Sequence, residues 1–277
     1  MFFIYNIFLL IILLISPIIL IIRIFLGKED KTRFKEKFCL FSKKNYVNGT
    51  IWFHGASVGE ILSIIPIVEK FEKDNKIKKI LITSSTTSSS YILSKYKFKK
   101  TIHQFYPFDL NILTKLFINY WKPRLAIFVD SEIWPNMYNN LYKKKIPLIL
   151  LNARITEKSF NRWKYFPNFS KNIFEKISVA LPQNKESKKY LKLLGTKNIK
   201  IAGNIKFYGS ALSNHNSSSL KKKFLKKNIL CAASTHKNEE LFIGKAHKEL
   251  KNNIKNLLTI IIPRHINRKK EITDELS

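Results

Sequence analysis

The segment Ile51–Glu60 (IWFHGASVGE) runs an apolar stretch into His54, Gly55, Ser57, Gly59 and Glu60. Small residues at such a junction let a ligand approach the backbone and the unpaired N–H groups of a helix that starts there. If the apolar run is a parallel strand, Glu60 is a candidate general base, because open α/β sheets bind ligands beyond the carboxyl ends of their strands. The plainer alternative is a glutamate that merely favours a helix N-terminus, and spacing alone does not separate the two. Val129–Asn136 (VDSEIWPN) repeats the arrangement: Asp130 and Glu132 follow an apolar run, with Trp134 and Pro135 ahead of a helix. Paired carboxylates there can stabilise a cationic transition state or hold a metal, and helix capping by Asp130 or Ser131 is the ordinary alternative.

Polar groups return just beyond later apolar runs at Asn152–Arg154, Gln183–Asn184 and Gly203–Lys206. Lys206 can offset phosphate or carboxylate charge as a point cation, although a lysine in so basic a chain is commonly just solvated. Ala233–Glu240 (ASTHKNEE) and Ile262–His265 (IPRH) add Ser234, Thr235, Arg264 and His265 as candidate anion-binding groups. The histidines His54, His236 and His265 have no metal-ligand spacing and read as hydrogen-bonding residues.

Short apolar runs alternating with helical periodicity predict an α/β fold with a mainly parallel sheet. Strands are expected at Ile51–Phe53, Lys79–Thr83, Leu125–Val129, Leu148–Leu151, Ile177–Leu181 and Ile199–Ala202, with helices at Ile61–Lys73, Ile133–Lys144 and Lys185–Leu194. A polar, serine- and lysine-rich stretch, Tyr208–Lys227, suits an interdomain connection. A βαβ element follows: strand Ile229–Ala233, helix Asn238–Lys251 and strand Leu257–Ile262.

Phe2–Leu26 is almost wholly apolar and long enough as a helix to cross a bilayer. Basic residues after it (Arg23, Lys28, Lys31, Arg33, Lys35, Lys37) keep the body on the cytoplasmic side by the positive-inside rule, with the N-terminus on the far side. Pro17 leaves a tilted or interfacial segment open. A cleaved signal peptide would have a basic start, which is absent. Fifty Lys and Arg against 19 Asp and Glu give a net charge of +31. That charge draws the protein to anionic partners, although much of it reflects a general abundance of Lys, Ile and Asn. Cys39 and Cys231 are too few and too far apart for a disulfide framework or a zinc site, and suit a reducing compartment.

Taken in order, IWFHGASVGE, the YPFDL of Tyr106–Leu110, VDSEIWPN, the IPLILLNARIT of Ile146–Thr156, the PQN of Pro182–Asn184, GNIKF, STHKNEE and IPRH resemble one family. It is that of the transferases of 3-deoxy-D-manno-octulosonic acid (Kdo) to the lipid A precursor. The resemblance covers essentially the whole chain, including the N-terminal apolar segment and the basic RFKEKF of Arg33–Phe38. It implies a metal-independent, inverting GT-B glycosyltransferase without a cofactor, at the bacterial inner membrane, with CMP-Kdo as donor and the lipid A precursor (lipid IVA) as acceptor in lipopolysaccharide core biosynthesis. Residues 1–26 would be the transmembrane anchor, 27–206 a Rossmann-like acceptor-binding domain, and 207–277 a linker with the opening βαβ portion of a Rossmann-like CMP-sugar-binding domain. Glu60 would be the general base; Asp130, Glu132 and Lys206 would support the transition state; Ser234, Thr235, Pro263 and Arg264 would face the donor. Two features depart from the pattern. Asp130 stands where the family has glutamate, which shifts weight to Glu132. The chain also ends soon after IPRH, without the glycine-rich loops that follow in the family, so the donor domain is expected to be incomplete. Alternatives are a different GT-B glycosyltransferase, a truncated non-catalytic remnant, or a membrane-surface binding protein retaining only acceptor affinity. No nucleic-acid-binding motif is present.

Overall fold

The computed structural model describes residues 1–276 apart from 44, 46, 47, 206–223 and 225. They fall into two units, Met1–Ser213 and Asn214–Ser277. In the first unit, six parallel strands form one sheet: β1 (Thr50–His54), β2 (Ile80–Ser84), β3 (Thr101–Phe105), β4 (Pro123–Val129), β5 (Leu148–Ala153) and β6 (Val179–Pro182), in the order β3-β2-β1-β4-β5-β6. Successive side chains of a strand point to opposite faces, so a run of consecutive apolar residues needs cover on both. Trp52, Leu81, Ala126 and Phe128 pack into one apolar layer. Ile51, Phe53, Ile82, Ile127 and Val129 pack into the other.

Helix α2 (Val58–Lys73) covers the second face with Ile61, Ile64, Ile65 and Val68, the one-sided spacing of a helix packed on a sheet. The remaining crossovers are α3 (Thr87–Ser94), α4 (Asn111–Trp121), α5 (Pro135–Lys143) and the pair α6 (Glu157–Lys164) and α7 (Pro167–Phe174), and α8 (Lys185–Leu193) follows the last strand of the sheet. The strand expected at Ile199–Ala202 is not formed. Its link to the sheet is a single bridge from Ile199 to Ala180, and Ile201 is 47% exposed, so no face of the run is buried enough to hold a strand. Conversely, β3 and helices α3, α4, α6 and α7 were not among the expected elements.

Ahead of the sheet, α1 (Phe2–Phe25) is one unbroken helix containing Pro17. Proline removes the N–H that would serve the carbonyl four residues back. Here the Ser16 hydroxyl donates to that carbonyl, Leu13 O, at 2.8 Å. A 3-10 turn at Arg33–Phe38 follows, in which Arg33 and the Phe105 N–H both donate to the buried Glu36 carboxylate. The RFKEKF motif therefore fastens this turn to β3.

The second unit holds β7 (Asn228–Thr235), α9 (Glu239–Asn253), β8 (Leu257–Pro263), a 3-10 turn at Ile266–Arg268 and α10 (Lys269–Leu276). β7 and β8 pair in parallel from Asn228↔Leu257 to Thr235↔Pro263, the expected βαβ element.

Candidate functional site

The chain leaves β1 toward β2 and β3 on one side and returns through β4 on the other. Where strand order reverses in this way, adjacent crossovers run to opposite faces and a crevice opens beyond the carboxyl ends of the two strands. β1 ends at His54 and β4 at Val129, so the crevice is bordered by Gly55–Glu60 and Asp130–Trp134, the two segments singled out by their residue types.

Glu60 is the third residue of α2 and closes a reciprocal cap. The Ser57 side chain accepts from Glu60 N at 3.3 Å, while Glu60 Oε2 accepts from Ala56 N and Oε1 from the Ser57 hydroxyl, both at 2.7 Å. The carboxylate is thus fixed at the helix end and half-exposed, so the capping role does not bury it. Burial pushes its carboxyl above the usual range; the Ser57 and Ala56 hydrogen bonds oppose this, and the negative charges of Glu132 and Asp130 add to it. Gly55 makes the approach possible, because a Cβ there would sit 3.0 Å from Glu60 Cβ and 3.4 Å from Ile61 Cδ1.

Across the crevice, Glu132 accepts from His54 Nε2 at 3.1 Å and from Trp134 Nε1 at 2.9 Å. Burial works against its charge, yet the His54 and Trp134 hydrogen bonds hold the carboxyl below the ordinary glutamate range. His54 is fully buried, with Nδ1 2.9 Å from the Thr83 hydroxyl and its ring stacked on Tyr106 at 3.9 Å. It orients Glu132, as the hydrogen-bonding expectation for this histidine requires. Asp130 is buried in the left-handed region at φ 62°, a conformation that aspartate tolerates better than most residues. Its N–H donates to Leu151 O and its carbonyl accepts from Arg154 N, which joins the ends of β4 and β5.

Asn152, also at positive φ, sits at the register shift in β5, and its Oδ1 accepts from Ile205 N at 3.2 Å. That bond ties Gly203–Ile205 to the same sheet edge. Lys206 itself lies outside the described residues. Beyond β5 and β6 a polar cavity of about 390 Å³ is lined by Arg154, Thr156, Gln183, Asn184 and Asn204 among others.

In the second unit, Ser234, Thr235, Pro263 and Arg264 share the carboxyl edge of β7 and β8, and Arg264 N donates to Thr235 O at 3.0 Å. The Thr235 hydroxyl donates to the buried Glu240, which also accepts two bonds from Arg268. Thr235 is therefore engaged in holding this edge together, whereas Ser234 and Arg264 are exposed.

Sequence reasoning missed the pairing of His54 with Glu132 and the placement of Asp109, whereas Asn152 lies at the strand end where it was expected. One signal was legible for the first: His54 is a polar residue directly after the apolar run Ile51–Phe53. Asp109, fully buried, receives the N–H groups of Asn136 and Met137 in the first turn of α5. Burial pushes its carboxyl up to about 7 against the pull of these hydrogen bonds and one from Tyr5.

The family model described as 3-deoxy-D-manno-octulosonic-acid transferase (kdotransferase) matches residues 32–208. Curated relatives include the 3-deoxy-D-manno-octulosonic acid transferases of Rickettsia bellii, 38% identical over 93% of this chain, and Haemophilus influenzae, 32% identical over 82%. The chain spans 62% and 54% of the length of these two proteins. Among solved structures, a UDP-GlcNAc 2-epimerase from Neisseria meningitidis bound to UDP-GlcNAc superposes with a TM-score of 0.59 at 14% identity, covering 82% of this chain and 69% of that one. The UDP complex of MnaA from S. aureus gives 0.58 at 14% identity, with 82% and 65% covered. These likenesses bear out the α/β, GT-B type of fold. By its match over residues 32–208, and in agreement with the relatives, the chain belongs to the 3-deoxy-D-manno-octulosonic acid transferase family.

Proposed function

We propose that this chain takes part in the transfer of Kdo from CMP-Kdo to the lipid A precursor (lipid IVA), in lipopolysaccharide core biosynthesis on the cytoplasmic side of the bacterial inner membrane. The observation that carries this reading is the switch-point crevice, with Glu60 on one side and Glu132 and Asp130 on the other. An acceptor hydroxyl oxygen attacks the anomeric carbon of Kdo, its proton passes to the Glu60 carboxylate, and the bond to the CMP phosphate oxygen breaks with its electron pair leaving on CMP. Attack opposite the leaving group inverts the anomeric centre. A half-buried carboxylate whose pKa is raised by burial and by neighbouring carboxylates has the basicity this role needs. Glu132, held ionised by His54 and Trp134, and Asp130 supply the negative field that favours a sugar carbon gaining positive charge. Lys206 would offset the charge of an acidic substrate. Ser234, Thr235, Pro263 and Arg264 would form the donor side, with Arg264 facing phosphate. The chemistry is assigned to these side chains, without a metal or cofactor.

A second reading is acceptor binding without turnover, which the crevice of the first unit would support by itself. One experiment separates them. Purified protein in detergent is given lipid IVA with and without CMP-Kdo; binding is read by calorimetry and product by mass spectrometry. A product heavier by a Kdo residue, formed only with CMP-Kdo, is the expected outcome. Acceptor binding with no product favours the second reading, and neither binding nor product rejects both.

A further inference from the structure

A helix that crosses a bilayer carries its two ends to opposite sides. In α1 both ends are fastened to the same unit. At the N-terminal turn the Tyr5 hydroxyl donates to Asp109 Oδ2 at 2.8 Å, Asn136 Nδ2 donates to Asn6 Oδ1 at 2.9 Å, and the Phe2 ring meets Phe169 edge-on at 5.0 Å. At the C-terminal end, Arg23 pairs with the buried Glu29 at 3.2 Å, and Glu29 is also held by Lys37 at 2.7 Å. Between them Ser16 and Leu20 are 3% and 4% exposed. Phe2, Tyr5, Asn6, Leu9, Ile12, Leu13, Ser16, Leu20 and Arg23 recur at helical spacing as the less exposed positions, so a continuous stripe lies against the protein.

The helix's Tyr5, Asn6, Ser16 and Arg23 all belong to that stripe. The opposite face is apolar and open, with Phe3 at 76%, Leu14 at 79% and Phe25 at 86% exposure. An apolar helix face needs apolar cover, and here the protein covers the inner stripe and leaves the outer face open. Exposed Lys28, Lys31 and Lys35 follow the helix, in a chain of net charge +31. Anionic headgroups complement such a margin, whereas a second copy of so basic a chain would repel it.

We propose that α1 does not span the bilayer but lies in the plane of one leaflet, its Phe3–Phe25 outer face in the acyl boundary and its inner stripe on the body. Both helix ends then stand on the same side of the membrane as the crevice. Asp109 links the helix to the site, since the same carboxylate holds Tyr5 and the first turn of α5, which follows directly on Asp130–Trp134. This topology rests on the contacts of α1 and holds whether or not the Kdo reading does.

The test uses the full chain in vesicles of phosphatidylethanolamine and phosphatidylglycerol, inserted with the body outward. An N-terminal peptide tag should be cut by added protease as readily as an exposed tag on the body. A tag cut only after the vesicles are lysed, with the body cut beforehand, overturns the proposal in favour of a span. Spin labels at Ile4→Cys, Leu14→Cys and Phe25→Cys, in a Cys231→Ser background, give depth. An in-plane helix sets all three at similar depth, roughly 5–10 Å below the headgroups. A span sets Leu14 about 15 Å deeper than the other two. Labels shielded from lipid while the protein dimerises would overturn the proposal in favour of a second copy.

Discussion

In the proposed reading, Glu60 serves the fold and the chemistry together. The reciprocal bonds with Ser57 and Ala56 that close the start of α2 are the same bonds that hold its carboxylate at the crevice. Gly55→Ala would place a methyl 3.0 Å from Glu60 Cβ and force the side chain aside. The side chain need yield by only a fraction of the roughly 1 Å displacement that costs about 100-fold, so the variant should lose part of the proposed transfer rate while its thermal midpoint moves little. The pH profile follows from two shifts of opposite sign. Glu60 acts as a base only when deprotonated and its pKa is raised, so the acid limb of the rate should lie above the ordinary glutamate value of about 4.3. Glu132 is depressed on folding, so the stability it contributes is complete above the unfolded-chain value and is lost as pH falls through the folded one. His54→Phe removes one of the two donors that hold Glu132. It should cost about 1–3 kcal/mol and flatten the acid-side slope of a urea-midpoint titration.

At the scale of elements, the site depends on helix starts. Asp109 accepts from two N–H groups of the first turn of α5 and from Tyr5 of α1. Asp109→Ala should lower stability by about 1.5–3 kcal/mol and loosen both helices at once, read as faster amide exchange in α5 and freer proteolysis near Tyr5. Ser57→Ala should cost about 1 kcal/mol as a lost cap. Strands β1, β4 and β5 were legible because both faces of each are buried, which leaves unbroken apolar runs. β3 was not: its sequence TIHQF carries His103 and Gln104 on an edge of the sheet, and its first three residues are half-exposed. The run Ile199–Ala202 misled for the reverse reason, being largely apolar in composition but covered only at Ile199, with the next three residues exposed. Glu60, Asp130 and Glu132 could be picked out as residues at strand ends. Their meeting could not, since only the order β2-β1-β4 sets His54 beside Glu132 across 78 positions of chain.

On the scale of the whole molecule, the switch-point crevice is one feature and the apolar outer face of α1 is another, joined through Asp109 and the first turn of α5. Membrane attachment should therefore respond to salt only in part: raising ionic strength screens the lysines within about 10 Å at 0.1 M, while the buried apolar face keeps its hold. Flotation with anionic vesicles at rising salt should show binding that weakens and then levels off above zero. The role of the crevice is tested most directly by the transfer rate of Glu60→Gln beside the unaltered chain, with lipid IVA and CMP-Kdo both saturating. A fall of about 10²–10⁴-fold with acceptor binding unchanged is expected of a lost general base. Turnover by Glu60→Gln within about twofold of the unaltered chain would contradict it.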